Sequence, residues 1–391
     1  MKREHLDPVK PLPRGKRPVE LFMDSGVFPA WGRGEKIDTR AYCDFIKRNE
    51  KFIDCYASVD FIPGVFGKAV TKEEVEFSAK YSYDNHQKMK GWGFKPIPIF
   101  HQGENFKWLE QYLKDGEPYI GIATRKDLAG NVQREWLDHC FTMLTNDDGV
   151  PFVKTHGFGI TTISQLVRYP WWSSDSTTWA LAAGFGLIYV PAINAKGQLD
   201  FTGMPTRIIM SGKTQKAWSS VKRQYEALNP DEKAWVQMWL KHLGTDVHRC
   251  MYDPIARRSA CLKYFLAFAR NHPIAPFADN KRHGDGFFPG YKHKGKAKLD
   301  WDRMVIYNST HMANGQFSRI MTEANCTHRL ISYWECMNKP DATLHRYVTQ
   351  GTTNMNYVPR PPVHDWDDDR WTAQRRFKLL ERITNGQAEV G

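Results

Sequence analysis

The sequence predicts an α/β fold, a (β/α)8 TIM-like barrel that carries extra helical and irregular elements on its C-terminal side. Three observations lead to this prediction. Short apolar segments alternate with helix-like stretches, which is typical of a parallel sheet. Turn residues bound these segments, as expected for strands that are buried on both faces. The segments also end on polar or charged residues, and such barrels build their active sites at the carboxyl ends of the strands.

Six strands are predicted in the first half of the chain. They occupy residues 19–26, 52–60, 96–103, 119–123, 152–159 and 171–177. Three of them carry an aspartate at or near their carboxyl end, namely Asp24, Asp60 and Asp175. Because the carboxyl ends of barrel strands share one rim, we expect these three carboxylates to line one cleft.

The helices have recognisable start signals. Thr71 and Glu74 form a capping-box pattern, which predicts a helix that runs to about Met89. Asn229 followed by Pro230 predicts a second helix, with asparagine at the N-cap and proline at the first helical position. Apolar spacing or charge order predicts further helices at 132–144, at about 162–167, at 260–270 and from 367.

The remaining barrel strands are predicted further along the chain. The segments 184–191 and 208–210 are interpreted as the seventh and eighth strands, and two more strand-like runs lie within 301–337. We therefore divide the chain into a basic arm (1–18), a barrel core (19–225) and C-terminal helical and basic elements (226–391). This last part is expected to complete the barrel and to contact nucleic acid.

The chain is strongly basic. It contains 55 Lys and Arg against 43 Asp and Glu in 391 residues, a net charge of +12. A basic surface attracts phosphate backbones at long range, so the charge favours nucleic acid over an acidic small molecule. Two clusters are expected to contact nucleic acid, although each alone is also typical of a solvated loop or helix face. Their residues are Lys292, Lys294, Lys296 and Lys298, and Arg375 and Arg376.

Cysteine usage and hydropathy indicate a cytoplasmic protein. The seven cysteines are widely spaced and form no CxxC pair, as expected for reduced thiols. No apolar run approaches the roughly 18 residues of a membrane span, and the N-terminus lacks the apolar core of a secretory signal. We expect neither a membrane partner nor a metal. The one weak group of metal-ligand types lacks the tight spacing of structural zinc sites; it consists of His311, Cys326, His328 and Cys336.

The three aspartates suggest a type of chemistry. Separated carboxylates in one cleft suit reactions at a sugar anomeric carbon, where one acts as nucleophile or stabiliser and the other handles protons. Any one aspartate alone is more often a helix cap or a turn residue. Three aspartates at corresponding strand ends, together with Gln102, favour a site.

Five motifs occur in an order that resembles the tRNA-guanine transglycosylase superfamily, and most closely its phage DNA-guanine transglycosylase branch. They are MDSGVFPAWGRGEKID (23–38), ASVDFIPG (57–64), FHQGEN (100–105), IGIA (120–123) and HGFGITTISQLVRYPWWSSDSTTW (156–179). Each motif is weak by itself, but five in the family order are specific. Together they cover residues 19 to about 190, which is roughly half of the chain.

The resemblance implies a covalent base exchange. Asp175 matches the family's nucleophile, which attacks C1′ of a guanosine and expels guanine. Asp24 matches the carboxylate that handles protons and deprotonates the incoming base. A 7-deazaguanine derivative, supplied as a free base, then replaces guanine in DNA, and no cofactor is required. The target guanine must be flipped out of the duplex or lie in single-stranded DNA. A phage-encoded enzyme would act in the host cytoplasm.

The resemblance also implies the residues that bind the base. Asp60 and Gln102 match residues that read the polar edge of the purine, and Gly121 matches a position where the backbone approaches it. Phe28 and His156 occupy the positions that sandwich the ring; core packing of Phe28 and a structural role of His156 are the alternatives. Gly157, beside His156, completes the predicted substrate-binding set.

Departures from the family pattern leave several alternatives open. The tRNA enzymes carry a CxCxxC…H zinc subdomain that contributes to tRNA binding and dimer formation, and these 391 residues contain no such motif. Its absence argues against tRNA and leaves the oligomeric state open. The alternatives are the same chemistry on tRNA, a hydrolytic nucleic-acid glycosylase, and a non-catalytic barrel that binds nucleic acid.

Overall fold

The computed structural model describes residues 20–64, 70–125, 128–194, 196–201, 204–211, 223–271, 277, 305–307 and 328–334. The helices in these residues are α1 (Val27–Trp31), α2 (Thr39–Arg48), α3 (Lys72–Gly91), α4 (Lys107–Lys114), α5 (Gly130–Leu144), α6 (Ile163–Arg168), α7 (Thr178–Gly184), α8 (Pro230–His242), α9 (Val247–Tyr252) and α10 (Pro254–Asn271). None of them combines the length and the apolar composition that a bilayer crossing requires.

Strands alternate with these helices over the first half of the chain, as the sequence predicts. The strands are β1 (Glu20–Asp24), β2 (Cys55–Tyr56), β3 (Ile99–His101), β4 (Tyr119–Ala123), β5 (Lys154–Phe158), β6 (Ser173–Asp175), β7 (Leu187–Val190), β8 (Ala192–Ile193), β9 (Leu199–Asp200), β10 (Thr206–Ile209), β11 (Arg223–Gln224), β12 (Val305–Tyr307) and β13 (His328–Ser332).

Two parallel sheets contain the first six strands. One has the order β13–β1–β2 and the other the order β12–β6–β5–β4–β3, and every pairing in both is parallel. A parallel bridge between Ala57 and Ile97 joins the two sheets just beyond β2 and just before β3. The backbone N–H of Ser58 donates to Ile97 O there, at 2.8 Å. The predicted α/β class with parallel sheets is confirmed.

The segments predicted as the seventh and eighth barrel strands do not belong to the two parallel sheets. β7 and β10 pair with each other in antiparallel fashion, in a separate sheet of order β11–β10–β7. Parallel neighbours need a crossover, usually through a helix, whereas the described residues between β7 and β10 form only the antiparallel β8–β9 pair. β12 and β13, from the strand-like runs within 301–337, lie beside β6 and β1 instead.

Alternate residues of the parallel strands enter two different apolar clusters. Leu21 and Met23 of β1 belong to a large cluster that also contains buried residues of the surrounding helices. Phe22 belongs to a small cluster whose members lie on the strands or next to them: Phe22, Ala57, Ile97, Ile99 and Leu330, with Tyr119 and Phe158 against them. Side chains alternate along a strand, so Asp24 lies on the same side of β1 as Phe22.

The helix caps follow the sequence signals. In α3, Thr71 Oγ1 accepts from the N–H of Glu74 and Glu74 Oε2 accepts from the N–H of Thr71, which completes the predicted capping box. α8 begins with the same reciprocal arrangement between Asn229 and Glu232, and Pro230 is its first residue. Both predicted helix starts are confirmed, and they fix the entry of the chain into each helix.

A buried charged cluster supports the amino end of β4. Glu117 lies two residues before this strand, 2.9 Å from His86 Nε2 and in contact with Lys90 Nζ, both on α3. Burial raises the pKa of Glu117, but the hydrogen bonds from His86 and Lys90 outweigh this effect and leave its pKa lowered. The cluster ties α3 to the sheet at the end opposite the carboxyl ends of the strands.

Candidate active site at the carboxyl ends of the parallel strands

The structure brings the three predicted aspartates to the same end of the parallel strands. Asp24 is the last residue of β1, Asp175 is the last residue of β6, and Asp60 follows β2. Asp24 is paired in register with Ser332 of β13, and Asp175 with Tyr307 of β12. β12 and β13 contact each other, so of the strands that the structure describes only these two lie between the ends of β1 and β6 that carry Asp24 and Asp175. We call the edge formed by the carboxyl ends of these parallel strands the rim.

Asp175 is buried, and its carboxyl group has two polar neighbours. Its Oδ1 accepts a hydrogen bond from the backbone N–H of Gly159 at 3.0 Å and lies 3.3 Å from His156 Nε2. The other ring nitrogen of His156, Nδ1, is 2.6 Å from Ser173 Oγ. The backbone N–H of Gly159 is a fixed donor, and it holds the carboxyl group in this orientation.

His156 supports Asp175 in this arrangement. Its side chain is 0% exposed and packs against the rings of Phe22 and Phe158, with centroids 4.7 and 4.4 Å away. A ring enclosed in this way would have to move before it could stack on a base. The predicted stacking role therefore has no support in the contacts of His156.

Asp60 belongs to a second buried polar group. Its Oδ1 accepts from Ser25 Oγ at 3.2 Å, and its Oδ2 lies 2.9 Å from His101 Nε2. The Nδ1 of His101 lies 3.0 Å from Glu104 Oε1. Burial lowers the pKa of His101, but the carboxylates of Glu104 and Asp60 raise it by more, to about 10. With a carboxylate at each ring nitrogen, His101 is an imidazolium that donates to both.

Ser25, His101 and Glu104 are absent from the set of residues predicted from the sequence. His101 and Glu104 are part of the FHQGEN motif, in which only Gln102 was assigned a role. The signal that could have found them is their spacing, because a histidine and a glutamate three residues apart in a turn can reach each other. Nothing in the sequence places Asp60 on the far side of the same ring.

Gln102 and Gly121 hold the neighbouring backbone together. Gln102 Oε1 accepts from the N–H of Arg125 at 3.1 Å, and its Nε2 donates to Val132 O at 3.4 Å. A Cβ on Gly121 would lie 2.5 Å from the Phe158 ring, so this glycine leaves room for Phe158 on the neighbouring strand. Their predicted contacts with a base stay predictions.

Gly157 and Phe28 differ in their access to the rim. Gly157 lies within β5, and a Cβ there would be 3.1 Å from Ile160 Cβ, so close packing also explains this glycine. Phe28 is on α1, directly after Asp24, and is 57% exposed, with its ring 6.1 Å from that of Trp31. The Phe28 side chain is therefore accessible from solvent, and its predicted stacking role stays a prediction.

Several predicted residues lie outside the part of the chain that the structure describes. These are Lys292, Lys294, Lys296, Lys298, Arg375 and Arg376, and, of the weak metal-ligand group, His311, Cys326 and Cys336; for His328 only the backbone is described. Among the residues that are described, no group of three or more His, Cys, Asp or Glu is arranged to hold a metal ion.

Comparison with known proteins adds no relative. No protein-family model, no curated protein and no solved structure matches the chain. A function must therefore be argued from the motifs and from the geometry of the rim.

The pKa of His101 predicts a pH-dependent stability. A histidine whose pKa is raised on folding stabilises the fold fully below its unfolded pKa, and this contribution is lost as the pH rises through the folded value. For His101 the window runs from 6.5 to about 10. We expect the difference in unfolding free energy between wild type and His101→Gln to shrink by up to about 1.4 kcal/mol per pH unit across this window. Urea unfolding at about pH 6, 8 and 10 measures it.

The matched control for this experiment is His248→Gln, which removes an exposed imidazole on α9 that takes no part in the hydrogen bonds of the Asp60 group. The difference in unfolding free energy between His248→Gln and wild type gives the baseline for the loss of one exposed histidine at each pH. If the difference in unfolding free energy between wild type and His101→Gln stayed constant from pH 6.5 to about 10, this would contradict an imidazolium between Asp60 and Glu104.

Proposed function

We propose that the chain is a DNA-guanine transglycosylase that exchanges guanine in DNA for a 7-deazaguanine derivative through a covalent aspartyl-glycosyl intermediate. The observation that carries this proposal is the convergence of Asp24, Asp60 and Asp175 at the carboxyl ends of parallel strands, in the motif order of the transglycosylase family. A retaining exchange at C1′ requires two carboxyl groups in one cleft, one as the nucleophile and one as the acid and base. Asp175 and Asp24 are assigned these roles.

The strand pairings favour a closed (β/α)8 barrel as the scaffold for this site. The pairs run from β13 through β1 and β2, across the Ala57–Ile97 bridge, and from β3 to β6 and β12. β12 in turn contacts β13. Eight parallel strands connected in this order suit a ring whose inside is filled by the small apolar cluster around Phe22.

The first chemical step is attack by Asp175. Its carboxylate forms a bond with C1′ of the target nucleotide while the bond from C1′ to N9 breaks, and the bonding electrons leave with guanine. Asp24, as the carboxylic acid, gives its proton to the departing guanine. The sugar is then held as an ester of Asp175, with inverted configuration at C1′.

The second step reverses the first with a new base. The Asp24 carboxylate removes the N9 proton of the incoming 7-deazaguanine, N9 bonds to C1′, and the ester bond to Asp175 breaks. Both carboxyl groups return to their starting states, and the second inversion restores the β-anomer. In this scheme Asp60 accepts hydrogen bonds from the polar edge of the purine, and Phe28 stacks on its ring, which is worth about 1–3 kcal/mol for an aromatic side chain.

Charge and motif content favour DNA as the polymer. The net charge of +12 suits a phosphate backbone, and the zinc-ligand motif of the tRNA enzymes is not found in these 391 residues. The target guanine has to leave the base stack, because both C1′ and the base edge are covered in a duplex.

A competition assay tests the proposal. The protein is incubated with radiolabelled guanine or 7-cyano-7-deazaguanine and with equal amounts of tRNA and single-stranded and duplex DNA. We expect label in DNA, preferentially in the single strand. Label in tRNA alone would contradict DNA as the substrate. Abasic sites without incorporated label would indicate a hydrolytic glycosylase, and DNA binding without either product would indicate a non-catalytic barrel.

A further inference from the structure

A row of polar side chains leads from Asp175 into the small cluster between the strands. His156 Nε2 faces Asp175 Oδ1, and His156 Nδ1 faces Ser173 Oγ at 2.6 Å. Ser173 Oγ is also hydrogen-bonded to the hydroxyl of Tyr119, at the start of β4. Four side chains from three neighbouring strands thus form one series of hydrogen bonds.

The number of protons in this row limits how they can be arranged. Among the described residues, the Tyr119 hydroxyl has no hydrogen-bond partner other than Ser173, so its proton points to Ser173 Oγ. Ser173 has a single proton, and this proton then points to His156 Nδ1. A ring nitrogen that accepts carries no proton, so the imidazole proton is on Nε2 and points to Asp175.

The reverse arrangement is unfavourable. If Ser173 donated to Tyr119, the phenolic proton of this partly buried side chain would lack an acceptor among the described residues, and the more acidic of the two hydroxyls would not donate within the row. Burial also raises the pKa of Tyr119 well above its ordinary value, so the phenol keeps its proton. The middle of the row is buried, with His156 0% and Ser173 1% exposed.

We propose that Tyr119, Ser173 and His156 form a proton-ordered row that keeps His156 neutral, with its proton on Nε2, and that this tautomer positions the Asp175 carboxylate for attack on C1′. The positioning of Asp175 for attack rests on the proposed function, whereas the tautomer of His156 does not. Tyr119, Ser173 and His156 are positioning residues in this scheme, since they act through Asp175.

The arrangement has a chemical consequence in both steps. The donors His156 Nε2–H and Gly159 N–H contact the same oxygen, Oδ1, so we assign the bond to C1′ to Oδ2. Oδ1 then becomes the carbonyl oxygen of the ester. When the second base displaces Asp175, the same two N–H groups stabilise the negative charge that returns to the carboxylate, as fixed donors do in oxyanion holes.

Nitrogen NMR of the protein labelled with 15N-histidine tests the tautomer without any substrate. The His156 signals are assigned as those lost in His156→Gln. We expect a protonated Nε2 and an unprotonated Nδ1 in the wild type. In Tyr119→Phe, Ser173 Oγ is free to accept from Nδ1, so we expect this variant to add a proton at Nδ1 while Nε2 keeps its proton toward Asp175. A wild-type imidazolium, or a proton on Nδ1, would overturn the proton-ordered row.

A pair of variants tests the effect on catalysis. His156→Gln keeps an N–H donor near Asp175 but loses the ring, whereas His156→Phe keeps a ring between Phe22 and Phe158 but loses the donor. We expect His156→Phe to lower kcat for base exchange about 10- to 100-fold with little change in KM, and His156→Gln to recover most of the loss. Thermal unfolding identifies any variant that has lost its fold.

The outcomes separate the two proposals. If His156→Phe is as active as His156→Gln, the ring matters only for packing and the positioning role is wrong. If the wild type has the expected tautomer but exchanges no base in DNA or tRNA, the proposed function is wrong and the proton-ordered row stands.

Discussion

We expect Asp175→Asn to lower base exchange by more than about a thousandfold, as found when a covalent nucleophile is removed. An amide cannot form the glycosyl ester that the reaction needs. The substitution is nearly isosteric, and its side-chain oxygen can still accept from Gly159 N–H and His156 Nε2–H, so the fold should be retained. Loss of activity would then report on chemistry and not on stability.

The direct measurement is the covalent adduct. Wild-type protein incubated with a labelled DNA oligonucleotide is denatured and separated by size, and the protein band carries label only if the sugar is attached to it. The control is Asp44→Asn, which removes a well-exposed carboxylate on α2 that pairs with Arg40. We expect adduct from wild type and from this control. An adduct of normal yield from Asp175→Asn would assign the nucleophile to another residue.

Gly26→Ala is expected to disrupt the rim where β1 meets β13. Gly26 has φ 79°, in the left-handed region that costs a residue with a Cβ about 1–2 kcal/mol. A Cβ there would also lie 2.4 Å from Ser332 Oγ and from Trp334 Cβ, and 2.7 Å from the backbone nitrogen of Trp334. Overpacking of this kind costs about 1–3 kcal/mol, so we expect a total loss of about 2–5 kcal/mol in unfolding free energy.

A matched control separates the two contributions. Gly34 also has a positive φ, 72°, but a Cβ there would have nothing within 4 Å. Gly34→Ala should therefore show only the conformational term, about 1–2 kcal/mol. Urea unfolding of both variants gives the comparison, and equal losses would mean that contact with β13 is unimportant. Because Ser332 is the register partner of Asp24, Gly26→Ala should also reduce base exchange more than Gly34→Ala does.

The sequence predicts the first six strands and the ends that carry Asp24 and Asp175 because these features are local. Apolar runs between turn residues show where strands are, and capping patterns show where helices begin. The partner of a strand is not a local property. The residues of β7 are as apolar as those of β4, yet β7 pairs with β10 in an antiparallel sheet, and the positions beside β6 and β1 go to β12 and β13.

The candidate site shows the same contrast between what is local in sequence and what depends on distant residues. A motif identifies Asp60 and His156 as special but does not say what each will contact. The imidazolium of His101 depends on Asp60, which is distant in sequence, and the burial of His156 depends on Phe22 of another strand. The motif predicts that Gly121 lets the backbone approach a base. In the structure, the Phe158 ring occupies the space in which a Cβ of residue 121 would lie.

The pairing of β1 with β13 has a consequence for how the chain folds. About 300 residues separate Glu20 from its register partner His328, so the edge of β1 that carries Asp24 stays unpaired until most of the polypeptide has been synthesised. Contacts of such high sequence separation carry a large loop-closure entropy and slow the folding reaction. Until they form, a nascent chain exposes an open strand edge that can associate with other chains. Aggregation through this edge is therefore expected while the chain is still on the ribosome, before His328 has been added.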